Sequence, residues 1–381
     1  MDKLNSITTK EGELILDSHK LNYHYDRIES WENGERIAPV TVDMALTRAC
    51  GAMCSFCYAM VQESQERTNI KEKEALNLLD DFAEIGVKGV SLISDGESTL
   101  SKSYVPFIQH AKKVGVDIAN ATNGWEWGED KVEQVLPFLK WVRFTVAAGT
   151  PESYSKIMFK GSDHTHVFDR AMKNIKYAVE LKRKKKLDVT LGIQMVLMPE
   201  FKDEIIPFAK LALNLGVDYG VIKHCSDDEF GTLGVNYEKY EDLYDTLREA
   251  EKLSNDNTKI IVKWEKIKAG GKPSYNRFYG PQFLLQISGS GLVAPSGMFF
   301  NARYSKFHMG NFCDERFIDI FKSDRYREIM NYLASEHFDA QTMMGTLPIQ
   351  HYVSEALDNH AKNIKKIQKS EDVEPLHVNF L

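Results

Sequence analysis

From about residue 41 the chain alternates short apolar runs with longer stretches whose apolar positions recur every three or four residues. The first pattern predicts strands buried on both faces, the second amphipathic helices packed on one side. Strands are expected at 41–47, 88–94, 116–122, 140–147, 189–197 and 217–223. Helices are expected near 71–85, 103–114, 129–137, 166–184 and 202–215, with a last one over 236–253 and a short extra strand at 258–263. Regular alternation of this kind gives a parallel sheet with crossover helices. Six such units are fewer than the eight of a closed barrel. The expected fold class is therefore α/β, a partial (β/α)6 TIM barrel, with its chemistry at the C-terminal ends of the strands.

The flanks follow other patterns. Residues 1–40 are too short for a core of their own and carry one helix pattern, Tyr25 to Asn33, expected against the bottom or side of the barrel. The barrel is assigned to 41–268, because Ala269-Gly-Gly-Lys-Pro273 marks a boundary. Over 269–381 the pattern becomes a hairpin, Phe283–Ser288 and Leu292–Ala294 turning at Gly289-Ser-Gly291, then Pro295-Ser-Gly-Met-Phe-Phe300, Met309-Gly-Asn-Phe312 and a helix near 315–321.

Composition narrows the class. With 381 residues, 43% hydrophobic and 27% charged, the chain can bury one large α/β core. No apolar run approaches the roughly 20 residues of a membrane span, and the N-terminus lacks a signal-peptide pattern. A cytoplasmic location without a membrane partner is expected. A net charge of −7 argues against a nucleic-acid partner. The basic run from Lys182 to Lys186 reads as the last turn of a helix, where cations suit the dipole. Five cysteines, three of them clustered, indicate a reducing compartment rather than a disulfide framework.

Those three, Cys50, Cys54 and Cys57, follow the first strand with C-x3-C-x2-C spacing. Three thiolates can hold three irons of a four-iron, four-sulfur cluster and leave the fourth open. A structural zinc ion would need a fourth Cys or His at a regular offset, and the other cysteines, Cys225 and Cys313, stand alone. With Phe56 before the third cysteine, the run Cys50-Gly-Ala-Met-Cys54-Ser-Phe56-Cys57-Tyr58 resembles the signature of the radical S-adenosylmethionine (SAM) enzymes.

The resemblance implies a [4Fe-4S] cluster on Cys50, Cys54 and Cys57, with SAM bound at the open iron. One electron, from a reductant such as flavodoxin or ferredoxin, then cleaves SAM to a 5′-deoxyadenosyl radical that takes hydrogen from substrate. The cofactor carries the hard chemistry and the protein positions it. Ser94-Asp95-Gly96-Glu97-Ser98 resembles the family's Gly-Gly-Glu motif, which holds the SAM amino group. Asp95 replaces the first glycine, while Gly96 and Glu97 stay in register; by itself an Asp-Gly pair also makes a plain turn. Ala121-Thr122-Asn123-Gly124 resembles a Thr-Asn-Gly run whose Thr122 and Asn123 face the site. Thr145 stands where relatives contact the SAM ribose or carboxylate. Ala147 replaces an acid common there, which widens the expected pocket. Ile193 and Gln194 match the segment that supports the adenine, although core packing reads equally well.

Lys223-His224-Cys225 ends the sixth strand, and each type can move protons or hydrogen atoms. These three are the catalytic candidates. Cys225 resembles the thiol with which some radical SAM epimerases return hydrogen to a carbon radical; the alternative is a small residue packed under the C-terminal extension. That extension resembles a SPASM-type domain. Cysteines expected near Ser296, Tyr279, His308 and Met343–Pro348 are missing and only Cys313 is present. One thiolate cannot hold a cluster, so a SPASM-like β-hairpin and helices without an auxiliary cluster is expected. His308, His351 and His360 read as surface or packing residues.

Substrate class rests on resemblance alone. The N-terminal helix, the Thr150-Pro151-Glu-Ser-Tyr154 run, the Gly-x-Gln194 strand and the tail His377-Val-Asn-Phe380 are similar to a radical SAM/SPASM subgroup found near sugar and surface-polysaccharide genes. A small-molecule substrate is implied, a sugar, nucleotide sugar or cyclitol undergoing epimerisation, oxidation or dehydration. The alternatives are a peptide-modifying maturase and a non-catalytic cluster- or zinc-binding partner protein. The cysteine reading makes a direct prediction. Replacing Cys50, Cys54 and Cys57 together with alanine removes the iron and abolishes SAM cleavage; 5′-deoxyadenosine formed by that variant overturns the assignment.

Overall fold

A computed structural model describes residues 6–62 and 68–381. The chain opens with a small antiparallel hairpin, β1 (Ser6–Thr8) and β2 (Glu13–Ile15), and then α1 (Tyr25–Glu32). The repeating part begins with β3 (Thr41–Met44), α2 (Glu72–Ile85), β4 (Gly89–Leu92), α3 (Tyr104–Val114), β5 (Asp117–Thr122) and α4 (Glu129–Val135). It continues through β6 (Leu139–Thr145), α5 (Pro151–Met158), α6 (Thr165–Lys185), β7 (Thr190–Leu197), α7 (Ile205–Leu215) and β8 (Tyr219–His224). After these come α8 (Tyr244–Lys252), β9 (Lys259–Val262) and α9 (Trp264–Lys268). The remainder holds β10 (Leu284–Ile287), β11 (Leu292–Ala294), β12 (Gly310–Asn311), α10 (Phe317–Lys322), α11 (Asp324–Ala334), α12 (Ala340–Met343) and α13 (His351–Ala361).

The strands β3 to β9 pair in sequence order, each pair parallel. All six expected units are present, and the short strand expected at 258–263 is β9. The sequence pattern did not show where the C-terminal hairpin goes. Its first strand, β10, pairs parallel with β3, and β11 and β12 extend the sheet beyond it. Residues 269–381 are thus hydrogen-bonded into the barrel sheet. A segment before α13 reaches both sides of the sheet: Lys266 Nζ donates to the Pro348 carbonyl at 3.2 Å, and Gln350 Nε2 to the carbonyls of Leu284 and Pro295 at 3.1 and 2.8 Å.

The helices form where their apolar spacing predicted. On α2, Ala75, Leu78, Leu79 and Phe82 are buried, a stripe at three- and four-residue steps. The basic run closes α6 as expected, and its Lys182 pairs with Asp218 at 2.7 Å. Helix α5 was not foreseen, although Thr150-Pro151 is a start signal, with proline at the first helical position.

Chain ends close the N-terminal mouth of the barrel. Thr41 Oγ1 donates to the Asn379 carbonyl at 2.9 Å, and Asn379 Nδ2 donates to Asp117 at 2.8 Å. His377 Nε2 meets Thr190 Oγ1 at 2.8 Å, while the buried Lys20 ammonium donates to the carbonyls of His377 and Phe380 at 2.9 and 2.5 Å. Helix α1 lies at the side, where Ile28 packs with Phe283, Val353 and Leu357. Past β11 the core is aromatic: Phe299 lies 4.5 Å from Phe307, and Phe278, Phe338 and Tyr332 surround them. The histidines there make packing contacts. His308 meets the Phe299 carbonyl, His360 meets Glu32 and the Ile367 amide, and His351 lies beside Tyr275. Among the described residues no helix is long and apolar enough to cross a membrane.

The tail imposes a constraint that can be tested. A Cβ on Gly89 would stand 2.7 Å from the Asn379 carbonyl oxygen. Gly89→Ala is expected to cost about 1–3 kcal/mol, read as a lower urea midpoint with unchanged slope. In a chain ending at residue 376 the same substitution is expected to be nearly free. Equal losses in both chains would show that the tail is not the obstacle.

Candidate functional site

The loop after β3 is fixed before any ligand is considered. The backbone amides of Met53 and Ser55 donate to the carbonyls of Met158 and Ile157 at 3.0 and 2.8 Å, hooking the loop onto the end of α5. Gly96 touches it from the other side: a Cβ there would lie 2.0 Å from the Thr47 carbonyl oxygen, so only glycine permits the approach. The adjacent Glu97 amide donates to the Ala49 carbonyl at 2.9 Å.

Asp95 completes this base. It pairs with Arg48 at 3.0 Å and accepts hydrogen bonds from Ser288 Oγ at 2.5 Å and from the Gly289 amide at 2.8 Å. The loops after β3 and β4 are thereby tied to the β10–β11 turn. The residue that departs from the family's glycine is a clamp between segments far apart in sequence.

Cys50, Cys54 and Cys57 line one cavity of about 330 Å³ at the C-terminal ends of the strands. Desolvation raises all three thiols, although the Cys50 residue keeps an exposed side. For Cys54 the other two cysteines are the next causes. Such thiols resist ionising until a cation joins them, and a bound metal deprotonates them outright. Among the described residues no three His, Cys, Asp or Glu side chains are grouped to hold a single metal ion. The three sulfurs instead share a cavity wall, an arrangement that fits a multi-iron cluster.

Glu97 is buried in the same cavity and is surrounded by donors. Its Oε1 accepts from Thr99 Oγ1 at 2.7 Å and Thr122 Oγ1 at 2.9 Å, and its Oε2 from the Asn123 amide at 2.8 Å. Burial still raises its pKa above the ordinary value. Among the described residues no basic side chain pairs with it, so an ammonium group would fit the chemistry left open. Both amide atoms of Asn123 and the Gln194 Oε1 are buried without partners, and both residues line the cavity. Gln194 Nε2 reaches Thr145 Oγ1 at 3.5 Å. Phe56, Asp95, Gly96, Thr122 and Thr145 line it too. These cavity residues would suit a [4Fe-4S] cluster with SAM beside it.

Two predicted site residues lie elsewhere. Ile193 is fully buried in the main core, because successive strand residues face opposite sides and Gln194 is the one that faces in. Cys225 is buried with Val196 and Met198 against Phe56 and does not line the cavity; its thiol, raised by burial, lies 3.8 Å from the Phe56 carbonyl oxygen. In this structure Cys225 therefore packs beneath the cysteine loop, outside the cavity wall where a hydrogen donor was expected. Ala147, expected to widen the pocket, is also in the core. Its backbone is left-handed at φ 64°.

Lys223 and His224 do line the cavity. Burial, with the charges of Lys266 and Lys223, pushes the His224 pKa well below the ordinary value, and neither ring nitrogen has a partner. Sequence reasoning missed Lys266, Gln286, Ser296 and Leu347–Ile349, which form the far wall. Lys266 could have been found, since a lysine beside Ile267 on the buried face of a short helix is unusual. The wall from the extension had no local signal. For Glu97, a Glu97→Gln variant is expected to keep its iron and to bind SAM more weakly by about 1.5–3 kcal/mol. Unchanged SAM affinity would remove Glu97 from the site.

Residues 44–212 match the Radical SAM superfamily. A curated relative, the sporulation killing factor maturation protein SkfB of Bacillus subtilis (strain 168), is 24% identical over 234 residues, covering 60% of this chain and 53% of its own. The chain thus spans about half the length of that relative. Among solved structures, Streptococcus suis SuiB bound to precursor peptide SuiA aligns with 81% of this chain and 69% of its own, at TM-score 0.61 and 16% identity. The structure of anSMEcpe with bound AdoMet aligns with 86% of this chain and 98% of its own, at TM-score 0.55 and 13% identity. Residues 44–212 thus form a radical SAM domain, the kind of domain that binds a [4Fe-4S] cluster and SAM.

Proposed function

We propose that this radical SAM enzyme modifies a peptide or protein rather than a sugar or other small metabolite. The observation that carries the reading is the pair of relatives: SkfB is named a maturation protein, and SuiB is described with its precursor peptide bound. This takes up the alternative stated from the sequence and sets the sugar reading second.

When bound, the cluster and SAM supply one-electron cleavage of a carbon–sulfur bond and abstraction of hydrogen from substrate. The chain's part is placement. Cys50, Cys54 and Cys57 would hold the iron, and Glu97 would receive the SAM ammonium on a carboxylate already locked by Thr99, Thr122 and Asn123. Asn123, Thr145 and Gln194 offer partners to the polar remainder of SAM. Met158, Met298 and Phe300 line the cavity with apolar surface, which keeps water from a reactive intermediate. Lys223 and His224 stand across from the cysteines as groups able to hold or pass a proton. The electron comes from a flavodoxin- or ferredoxin-type reductant.

The test is turnover of the anaerobically reconstituted protein with SAM and dithionite. One arm receives a pooled library of peptides about twelve residues long, the other a set of nucleotide sugars. Peptides are expected to raise 5′-deoxyadenosine above the substrate-free rate and to gain or lose mass. Stimulation by nucleotide sugars alone would overturn the reading.

A further inference from the structure

Inside the lower half of the barrel lies a second cavity of about 100 Å³. It adjoins the first, and Ile93, Gln194, Lys223, Lys266 and Ile349 line both. Five basic side chains line it: Lys20, whose ammonium is already taken up by the His377 and Phe380 carbonyls, and four further cations, Arg143 on β6, Lys223 on β8, Lys263 just after β9, and Lys266 on α9. The carboxylates that face them are Asp43 on β3 and Asp17 beside Lys263 and Lys266. Both are committed to other donors. Asp43 is bonded to Ser91, while Asp17 accepts from the Tyr352 hydroxyl and the Glu265 amide.

Among the described residues none of the four cations makes an ion pair. The Arg143 guanidinium lies over the Trp141 ring at 5.1 Å, and its Nε is buried without a partner. Lys263 and Lys266 lie over the Tyr352 ring at 5.5 and 5.2 Å. Among the described residues Lys223 has neither a ring nor a hydrogen-bond partner. Burial and mutual repulsion lower Lys223 to about 7 and Lys266 to about 8. Buried, unpaired cations are costly, and such a group in a cavity that adjoins a reaction site marks a place where a ligand supplies the counter-charge.

We propose that Arg143, Lys223, Lys263 and Lys266 form a recognition site for an oxyanion carried by the substrate, a carboxylate in the peptide reading. The SAM carboxylate is a poor candidate for this place. SAM carries its amino and carboxylate groups on one carbon, and the cysteines and Glu97 follow β3 and β4. The cations come from β6, β8 and the β9 side, across the barrel. Arg143 offers a planar fork suited to two oxygens at once, and Lys223 and Lys266 stand at the neck between the cavities. An acidic side chain held there would place the neighbouring carbon atoms of its chain in the upper cavity. This deepens the proposed function by assigning substrate charge, but its test requires neither turnover nor a peptide, so the two can fail separately.

The experiment is calorimetric titration of the reconstituted, SAM-loaded protein with glutarate, inorganic phosphate and neutral glutaramide. Glutarate, phosphate or both are expected to bind and glutaramide not to. The stronger of the two anions identifies the oxyanion. Lys223→Met is expected to weaken anion binding by about tenfold or more and to leave SAM affinity unchanged. Arg143→Met is the second variant should the first fail to fold. Without anion, Lys223→Met is also expected to melt at a higher temperature, because an unpaired buried cation has been replaced by an apolar chain of similar size. No anion binding by the wild type, anion binding by both variants as tight as by the wild type, or loss of SAM binding instead of anion binding would each overturn the proposal.

Discussion

The close approach of three backbone segments around Thr47 is the constraint on which the site depends. Gly96 lies on one side of Thr47 and Gly289 on the other, each so near that a Cβ would meet backbone atoms at 2.0 and 2.3 Å. Asp95 then bonds to Arg48 within the cysteine loop and to Ser288 and Gly289 in the β10–β11 turn. Backbones packed this tightly have little freedom to shift. The cysteine loop is held at a fixed height above β3, and the extension is fixed to it through the same contact. Functional groups gain precision when the elements that carry them are rigid.

The same economy joins the ends of the chain to the barrel. Strand β10 adds to the sheet beside β3, the segment before α13 bonds to the β9 side and to β10, and the tail lies across the starts of β3, β5 and β7. The barrel is therefore closed below by tail residues and walled above by Gln286, Ser296 and Leu347–Ile349. This extension has an aromatic cluster around Phe299 and Phe307. Edge-to-face and offset rings each add about 0.5–1.5 kcal/mol beyond the area they bury, which supports an extension held by packing.

Charge within the barrel is distributed by strand. The acid Glu97 and the three thiols follow β3 and β4, whereas Arg143, Lys223, Lys263 and Lys266 come from the opposite wall. The two sets are separated by the polar, partly unpartnered side chains of Asn123 and Gln194. An acceptor of cations faces an acceptor of anions across one space. Two differently charged ligands, or two ends of one ternary arrangement, can be oriented by such a field.

The sequence determined local chemistry and the repeating units. The C-x3-C-x2-C run, Phe56, Gly96-Glu97, Thr122-Asn123 and Thr145 all line the cavity, because each ends or follows a strand whose apolar run is legible on its own. The strand order and the barrel helices other than α5 were equally plain, since period and length are local properties. The face of a single strand residue was less certain, and Ile193 and Gln194 were separated only when the pleat was fixed. What tertiary structure alone decided is everything carried by contacts between distant segments. These include the pairing of β10 with β3, the burial of Cys225 under the cysteine loop and the service of Asp95 as a clamp. They also include the gathering of Arg143, Lys223, Lys263 and Lys266 into one cationic wall. None has a periodic signal, because hydrogen bonds and charges at long sequence separation leave no spacing along the chain to be read.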